Sequence, residues 1–134
     1  MQKIKDSVFG EMEYRHSWTK KDSLMFLGKA YIVDITAQAY SGDEIIDSQR
    51  DSYKNYTIIL EAKNDSIQDK LKEYFKDMFD NESPLADLVV PKTVIFERDG
   101  SWGVLFETDC DIENGVAVFF DKDAIKVGSQ DEFI

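Results

Sequence analysis

The spacing of the large apolar residues changes twice along this chain, and that change constrains the fold more than any other feature. Between Met12 and Trp18 every second residue is large, which is the period of a half-buried strand. After Ser41 the spacing becomes three or four residues, as in an amphipathic helix, and after Leu88 the strand pattern returns. Strands, then helices, then strands in 134 residues predict one α+β domain over residues 1–134.

The N-terminal region is predicted to form three antiparallel strands, over Met12–Trp18, Leu24–Leu27 and Ala30–Ala37. Gly28-Lys29 is the expected turn between the second and the third strand. Glycine supplies the positive φ that a type II′ hairpin turn requires.

Two helices are predicted in the middle of the chain. Ser41 or Asp43, with acidic residues in the first turn, marks the start of the first, which runs to about Lys63. Asn64-Asp65-Ser66 can cap a second helix, which ends before Asn81. The pattern does not decide between two separate helices and one bent helix.

The C-terminal region is predicted to be a β-meander, because the turn signals Asp99-Gly100 and Asn114-Gly115 lie between short apolar runs. The predicted fold is therefore an antiparallel sheet, built from the N-terminal strands and this meander, with both helices packed on one face.

The charge of the chain excludes several classes of partner. Lys and Arg total 16 against 27 Asp and Glu, so the formal net charge is −11. Nucleic acids and anionic membranes are poor partners for such a chain, because binding them requires clustered basic residues. Cys110 is the sole cysteine, which excludes an internal disulfide and a multi-cysteine zinc site. No apolar run reaches the length of a membrane span, so we expect a cytoplasmic protein.

The acidic excess is concentrated toward the C-terminus. Residues 1–40 carry six bases and five acids, whereas residues 84–134 carry four bases and eleven acids. A cationic partner is the natural complement of such a surface. The predicted partner-binding residues are the six acids of residues 107–123 and two acids of the second helix: Glu107, Asp109, Asp111, Glu113, Asp121, Asp123, Asp69 and Glu73.

No sequence motif predicts catalysis or a cofactor. The single histidine, His16, falls on the apolar side of a predicted strand and has no recognisable catalytic partner. The run Asp109–Gly115 begins like a calcium-binding EF-hand loop, but its glycine comes one place late. Phe120 also stands where the bidentate glutamate belongs, so no metal site is predicted.

Several short blocks carry a resemblance to a family of small bacterial domains. They are Val8-Phe9-Gly10 with Trp18, Ala39–Ile45 followed by Gln49-Arg50 and Tyr53, Leu105–Asp111, Glu113–Val118 and Val127–Asp131. Domains of this kind are similar to the acidic immunity proteins encoded beside polymorphic toxins, including those of contact-dependent growth inhibition. The resemblance implies a cytoplasmic, non-enzymatic protein that binds and blocks one cognate toxin domain, and it supplies no catalytic residues.

Three functions remain open from the sequence. The first is an immunity protein whose acidic surface mimics the phosphate chain and occludes a basic toxin, expected to be a nuclease. The second is a metal-dependent enzyme that uses the acidic loop. The third is a housekeeping interaction domain unrelated to toxins.

Overall fold

In the computed structural model, which describes residues 2–134, the chain forms one eight-stranded sheet with its helices on one face. The elements in chain order are β1 (Lys3–Asp6), β2 (Gly10–Tyr14), β3 (Trp18–Phe26), β4 (Lys29–Ala37), α1 (Asp47–Ala62), α2 (Asn64–Phe79), α3 (Leu85–Leu88), β5 (Val90–Phe96), β6 (Trp102–Glu107), β7 (Val116–Asp121), β8 (Ala124–Gly128) and a 3₁₀ turn (Gln130–Glu132). The predicted α+β class with two consecutive helices on one face of a sheet is confirmed.

Strand order in the sheet follows chain order, from β1 to β8. Every neighbouring pair is antiparallel except β4 and β5, which run parallel from Asp34–Thr93 to Ala37–Phe96. The helices cause this exception, because they carry the chain back to the end of the sheet at which β4 began. Strands joined by such a crossover run parallel.

The N-terminal region contains four strands, not the three predicted. The additional strand is β1, which pairs with β2 from Lys3–Glu13 to Asp6–Gly10. The predicted strand over residues 12–18 is divided by a turn, in which His16 is exposed and has a φ of +64°. His16 therefore lies at a hairpin tip, not on the apolar side of a strand as predicted.

The turn between β3 and β4 lies one residue earlier than predicted. Phe26 pairs with Lys29, so the two turn residues are Leu27 and Gly28, with φ values of +53° and +75°. Two positive φ values define a type I′ turn, and the predicted type II′ turn at Gly28-Lys29 is wrong. Leucine rarely adopts this conformation, but here its side chain packs against the apolar core.

The middle of the chain forms two separate helices, which settles the question the sequence left open. The break is at Lys63, between α1 and α2. Helix α1 begins at Asp47, later than the predicted start at Ser41 or Asp43. The Gln49 side chain accepts the Ile46 N–H at 3.1 Å, and the Asp43 carboxylate instead accepts the Tyr40 N–H in the preceding loop.

The main core lies between the helices and the sheet. Leu71 and Phe75 of α2 are fully buried against apolar side chains of the meander, among them Phe96 and Phe106. A smaller cluster lies on the opposite face of the meander, where Phe133 stacks on Phe119 with ring centroids 5.1 Å apart. The predicted C-terminal meander is confirmed, and its outer face is covered by the C-terminal residues.

An ion pair connects the N-terminal hairpin to helix α1. Arg50 Nη2 lies 2.8 Å from Asp6 Oδ1, and the Asp6 side chain is only 3% exposed. Asp6 Oδ2 also accepts the N–H groups of Val8 and Phe9, at 3.0 and 2.9 Å. Burial alone would raise the pKa of Asp6, but Arg50 and the two N–H groups outweigh it and lower the pKa. We call this arrangement the Asp6–Arg50 junction.

Gln49 ties the start of α1 to the sheet. Its side chain is completely buried, and Nε2 donates to the carbonyl groups of Gln38 and Phe96 at 2.8 and 3.0 Å. The glutamine therefore satisfies one carbonyl beyond the end of β4 and another at the end of β5, where the parallel pairing stops. The block Gln49-Arg50, which carries part of the family resemblance, therefore lies where α1 contacts the sheet and the N-terminal hairpin.

Within residues 2–134, no helix is both long enough and apolar enough to cross a lipid bilayer.

Candidate functional site

Four of the eight predicted partner-binding acids lie on one loop, residues 107–113, which we call the acidic loop. The loop begins at the end of β6 and is held by hydrogen bonds within itself. Asp111 Oδ1 accepts the Asn114 N–H at 3.2 Å, and the Asp111 carbonyl accepts the Gly115 N–H at 2.8 Å. Thr108, which is buried, accepts the Cys110 N–H through its hydroxyl oxygen. These bonds within the segment give the loop a defined local shape.

The C-terminal residues hold the end of this loop against the sheet. Gln130 Nε2 donates to the Phe106 carbonyl at 3.0 Å, and the Gln130 N–H reaches the Asn114 carbonyl at 3.4 Å. Gly115 lies between these groups with a φ of +62°, and a Cβ there would come within 2.5 Å of the Phe106 oxygen. Only glycine fits at this position, so the Asn114-Gly115 signal marks the point where the loop returns to the sheet.

The carboxylates of the acidic loop have no cationic partner among residues 2–134. Glu107, Asp109 and Glu113 are exposed and Asp111 is half-buried, and none of the four lies within ion-pair distance of a basic side chain in that part of the chain. Four uncompensated acids within seven residues give the loop a strongly negative potential.

Two further acids join the loop from the C-terminus, and the sequence analysis missed them. Burial raises the pKa of Tyr74 on α2, and the negative charges of Glu132, Asp111 and Asp131 raise it further. All three carboxylates therefore lie close enough to act on one hydroxyl. Both acids belong to the acidic excess of residues 84–134, but their distance from residues 107–113 in the chain gives no sign that they lie near the loop.

The acidic loop also carries an exposed apolar side chain, that of Ile112. Ile112 is 84% exposed, the highest value among the large apolar residues. Beside it is a shallow depression whose lining includes Asp87, Val90, Glu107 and Asp109. Exposed apolar side chains, Ile112 and Val90, and exposed acids thus line the same depression. Protein interfaces commonly combine apolar and charged side chains in this way.

The other predicted acids do not belong to this cluster. Asp121 and Asp123 flank the turn between β7 and β8, at the opposite end of β7 from the acidic loop. A six-residue strand spans about 17–20 Å, so the stretch 107–123 forms two groups of acids, not one patch. Asp121 Oδ2 also lies 3.6 Å from Lys126 Nζ, so the charge of Asp121 is partly neutralised.

The two predicted acids of the second helix occupy a third position. Asp69 and Glu73 are both exposed on α2, one turn apart. Glu73 lines a groove between α2 and β8, together with Tyr74 and Val127. No residue of the acidic loop lines this groove.

The structure provides no geometric basis for a metal site in the described residues. No three His, Cys, Asp or Glu side chains of residues 2–134 converge in a way that could hold a metal ion. Cys110 is partly buried, and Asn81 Nδ2 lies 3.7 Å from its sulfur.

Comparison with known proteins identifies a family without assigning an activity. A family model described as a domain of unknown function, DUF6985, matches residues 8–134. The chain belongs to this family. No curated protein matches the sequence, and no solved structure matches it either.

Proposed function

We propose that this member of the DUF6985 family is an immunity protein, which binds a cognate bacterial toxin domain in the cytoplasm and blocks it by stoichiometric occlusion rather than by catalysis. The observation that supports the proposal is the acidic loop itself. It presents four carboxylates without a basic partner in residues 2–134, and two of them, Glu107 and Asp109, line a depression together with the exposed side chain of Ile112. This combination suits a partner whose surface is basic at the rim and has an apolar pocket at its centre.

The two kinds of side chain have different roles in this proposal. Carboxylates at the rim attract a basic partner over a distance and raise the rate of association, which matters for an inhibitor that has to reach a toxin before the toxin reaches its substrate. Burying Ile112 in a pocket of the partner slows dissociation, and full burial of such a side chain is worth roughly 1.5–3 kcal/mol. In this proposal the carboxylates therefore control the association rate, and Ile112 controls the dissociation rate.

A basic nuclease is the toxin class that this surface suits best. A nuclease binds a polyanion through clustered Lys and Arg residues. Closely spaced carboxylates at 107, 109, 111 and 113 offer negative charges in a row that can occupy the same basic surface. Occlusion of the substrate site would then need no catalytic group on the inhibitor.

The test is binding to the toxin domain encoded by the neighbouring gene, with purified proteins and stopped-flow kinetics. We expect a 1:1 complex. Neutralising two loop acids, with Asp109→Asn and Glu113→Gln, should lower the association rate about tenfold at low salt. Ile112→Ser should instead raise the dissociation rate.

A control with the same change in charge separates the acidic loop from acidity in general. Asp121→Asn with Asp123→Asn removes two acids at the far end of β7 and should change the association rate by less than about twofold. Equal effects of the two double variants would mean that only net charge matters. Absence of any complex, or a genomic position away from any toxin gene, would favour the housekeeping interaction domain instead.

A further inference from the structure

A cavity of about 540 Å³ lies between the tip of the β3–β4 hairpin, the junction of α1 with α2, and strands β6 and β7. Its inner wall consists of apolar side chains that are at most 4% exposed: Leu24, Ile67, Val104, Phe106 and Val118. Its size falls within the range of about 300–1,000 Å³ that is usual for small-molecule sites. None of the acidic-loop residues contributes to it.

The polar residues that line the cavity lie at its mouth. Ser23, Thr57, Glu61 and Asn64 line the cavity and are exposed to solvent. Thr57 and Glu61 lie on the last turns of α1 and Asn64 is the first residue of α2, whereas Ser23 lies on β3. A molecule bound here would place its apolar part against the inner wall and a polar end among these four residues.

The charge at the mouth restricts the kind of molecule that fits. Among residues 2–134, Glu61 is the only charged residue that lines the cavity, and no Lys, Arg or His of that part of the chain does so. A carboxylate or phosphate head group would therefore meet a negative charge without a compensating base. A hydroxyl can bond to Thr57 or Asn64, and an ammonium group would be attracted to Glu61.

We propose that this cavity binds a small apolar molecule whose polar end is uncharged or cationic. This site is separate from the acidic loop and does not depend on the function proposed for that loop. The driving force is burial of the apolar chain against the inner wall, which contributes about 0.8 kcal/mol per CH₂ group.

The proposal can be tested by titrating the intact protein with N-phenyl-1-naphthylamine, a neutral apolar dye that fluoresces when it leaves water. We expect a saturable increase in fluorescence with one dye per chain. Decanol and decylamine should displace the dye, and decanoate should do so more weakly at low salt. A preference for decanoate over both would overturn the ligand class, and absence of saturable binding would overturn the site.

Two tryptophan variants on the exposed surface of α1 locate the binding event. Thr57→Trp places a bulky ring at the mouth and should weaken dye binding by about tenfold or more. Asn55→Trp adds the same ring at an exposed position that does not line the cavity, and should leave binding within about twofold of the original. Both positions are exposed, so neither substitution disturbs the core. Equal binding by the two variants would mean that the dye binds elsewhere.

A third variant tests the role of the charge. In Glu61→Gln the difference between decylamine and decanoate should disappear, because the sole charge lining the cavity has been removed. A difference that persists unchanged would show that Glu61 does not select the head group.

Discussion

Asp6 and Asp111 occupy similar turns at different places in the molecule, and their surroundings give them different roles. Each carboxylate accepts a backbone N–H two or three residues further along the chain, Val8 and Phe9 for Asp6 and Asn114 for Asp111. Asp6 is buried and paired with Arg50, whereas Asp111 has no ion-pair partner in the described chain. The same local device therefore stabilises a tertiary contact in one place and presents a free charge in the other.

The Asp6–Arg50 junction and the acidic loop also differ in their contributions to the free energy of folding. At the Asp6–Arg50 junction, charge and hydrogen bonding fix the N-terminal hairpin against α1. In the acidic loop, neighbouring like charges repel one another, and no element of residues 2–134 compensates them with an ion pair. A group of charges that opposes folding slightly and is nevertheless held in a defined loop is typical of a surface kept for binding.

The largest expected effect is the loss of the ion pair in the Asp6–Arg50 junction. Asp6→Asn keeps an oxygen that can accept the turn N–H groups but leaves the Arg50 guanidinium without its buried partner. Removing one member of a buried pair costs about 3–5 kcal/mol. Because Arg50 is 25% exposed and keeps a second ion pair, to Asp47 at 2.8 Å, we expect a smaller loss of about 2 kcal/mol in urea denaturation.

The matched variant in the other region is Asp111→Asn, which also keeps the accepting oxygen. It breaks no ion pair in the described chain, so the free energy of unfolding should change by less than about 1 kcal/mol. Similar losses in the two variants would show that the turn, not the ion pair, stabilises the junction.

The next effect is on the pH dependence of stability. The pKa of Asp6 is lowered in the folded protein from an ordinary value of 3.8, so folding favours its charged form. Its contribution is fully present above pH 3.8 and is lost as the pH falls through the lowered pKa. The difference in unfolding free energy between the natural protein and Asp6→Asn should therefore be constant from neutral pH down to about pH 4 and then shrink. A difference that grows on acidification would contradict the direction of the shift.

The smallest expected effect has the opposite sign. Neutralising three loop acids together, with Asp109→Asn, Asp111→Asn and Glu113→Gln, removes repulsion between neighbours. We expect a gain of a few tenths of a kcal/mol at low salt, measured by thermal denaturation. The gain should vanish at high salt, because exposed charges are then screened. A clear loss of stability would mean that these acids have partners within the fold.

Predictions from the sequence were correct where an apolar period extended over a long segment. They were wrong where the position of a turn or a short strand depended on a few residues. The apolar spacing on either side of Ser41 and Leu88 identified the order of strands and helices. The turn was predicted one residue late, at Gly28-Lys29 in place of Leu27-Gly28. A single glycine does not show whether it is the first or the second residue of a turn, and a leucine with positive φ is uncommon. The strand β1 was missed because Lys3–Asp6 is too short and polar to show a period.

The candidate site was predicted in part, for a similar reason. Acidity at Glu107–Glu113 is visible in the sequence, and these residues do lie on one loop. Asp121 and Asp123 are close to them in the chain but lie one strand length away, because β7 separates them. Ile112 was not predicted, because an apolar letter in a sequence does not show whether its side chain is buried or exposed.

The sequence by itself determined the class of the fold and the sign of its surface, because apolar periodicity and net charge are properties of the chain. Only the tertiary structure decided which charges remain free. Arg50 is 44 residues from Asp6 in the chain and still neutralises it, whereas Asp131 and Glu132 return to add charge near Asp111. Electrostatic interaction depends on distance in space and on burial, and folding sets both.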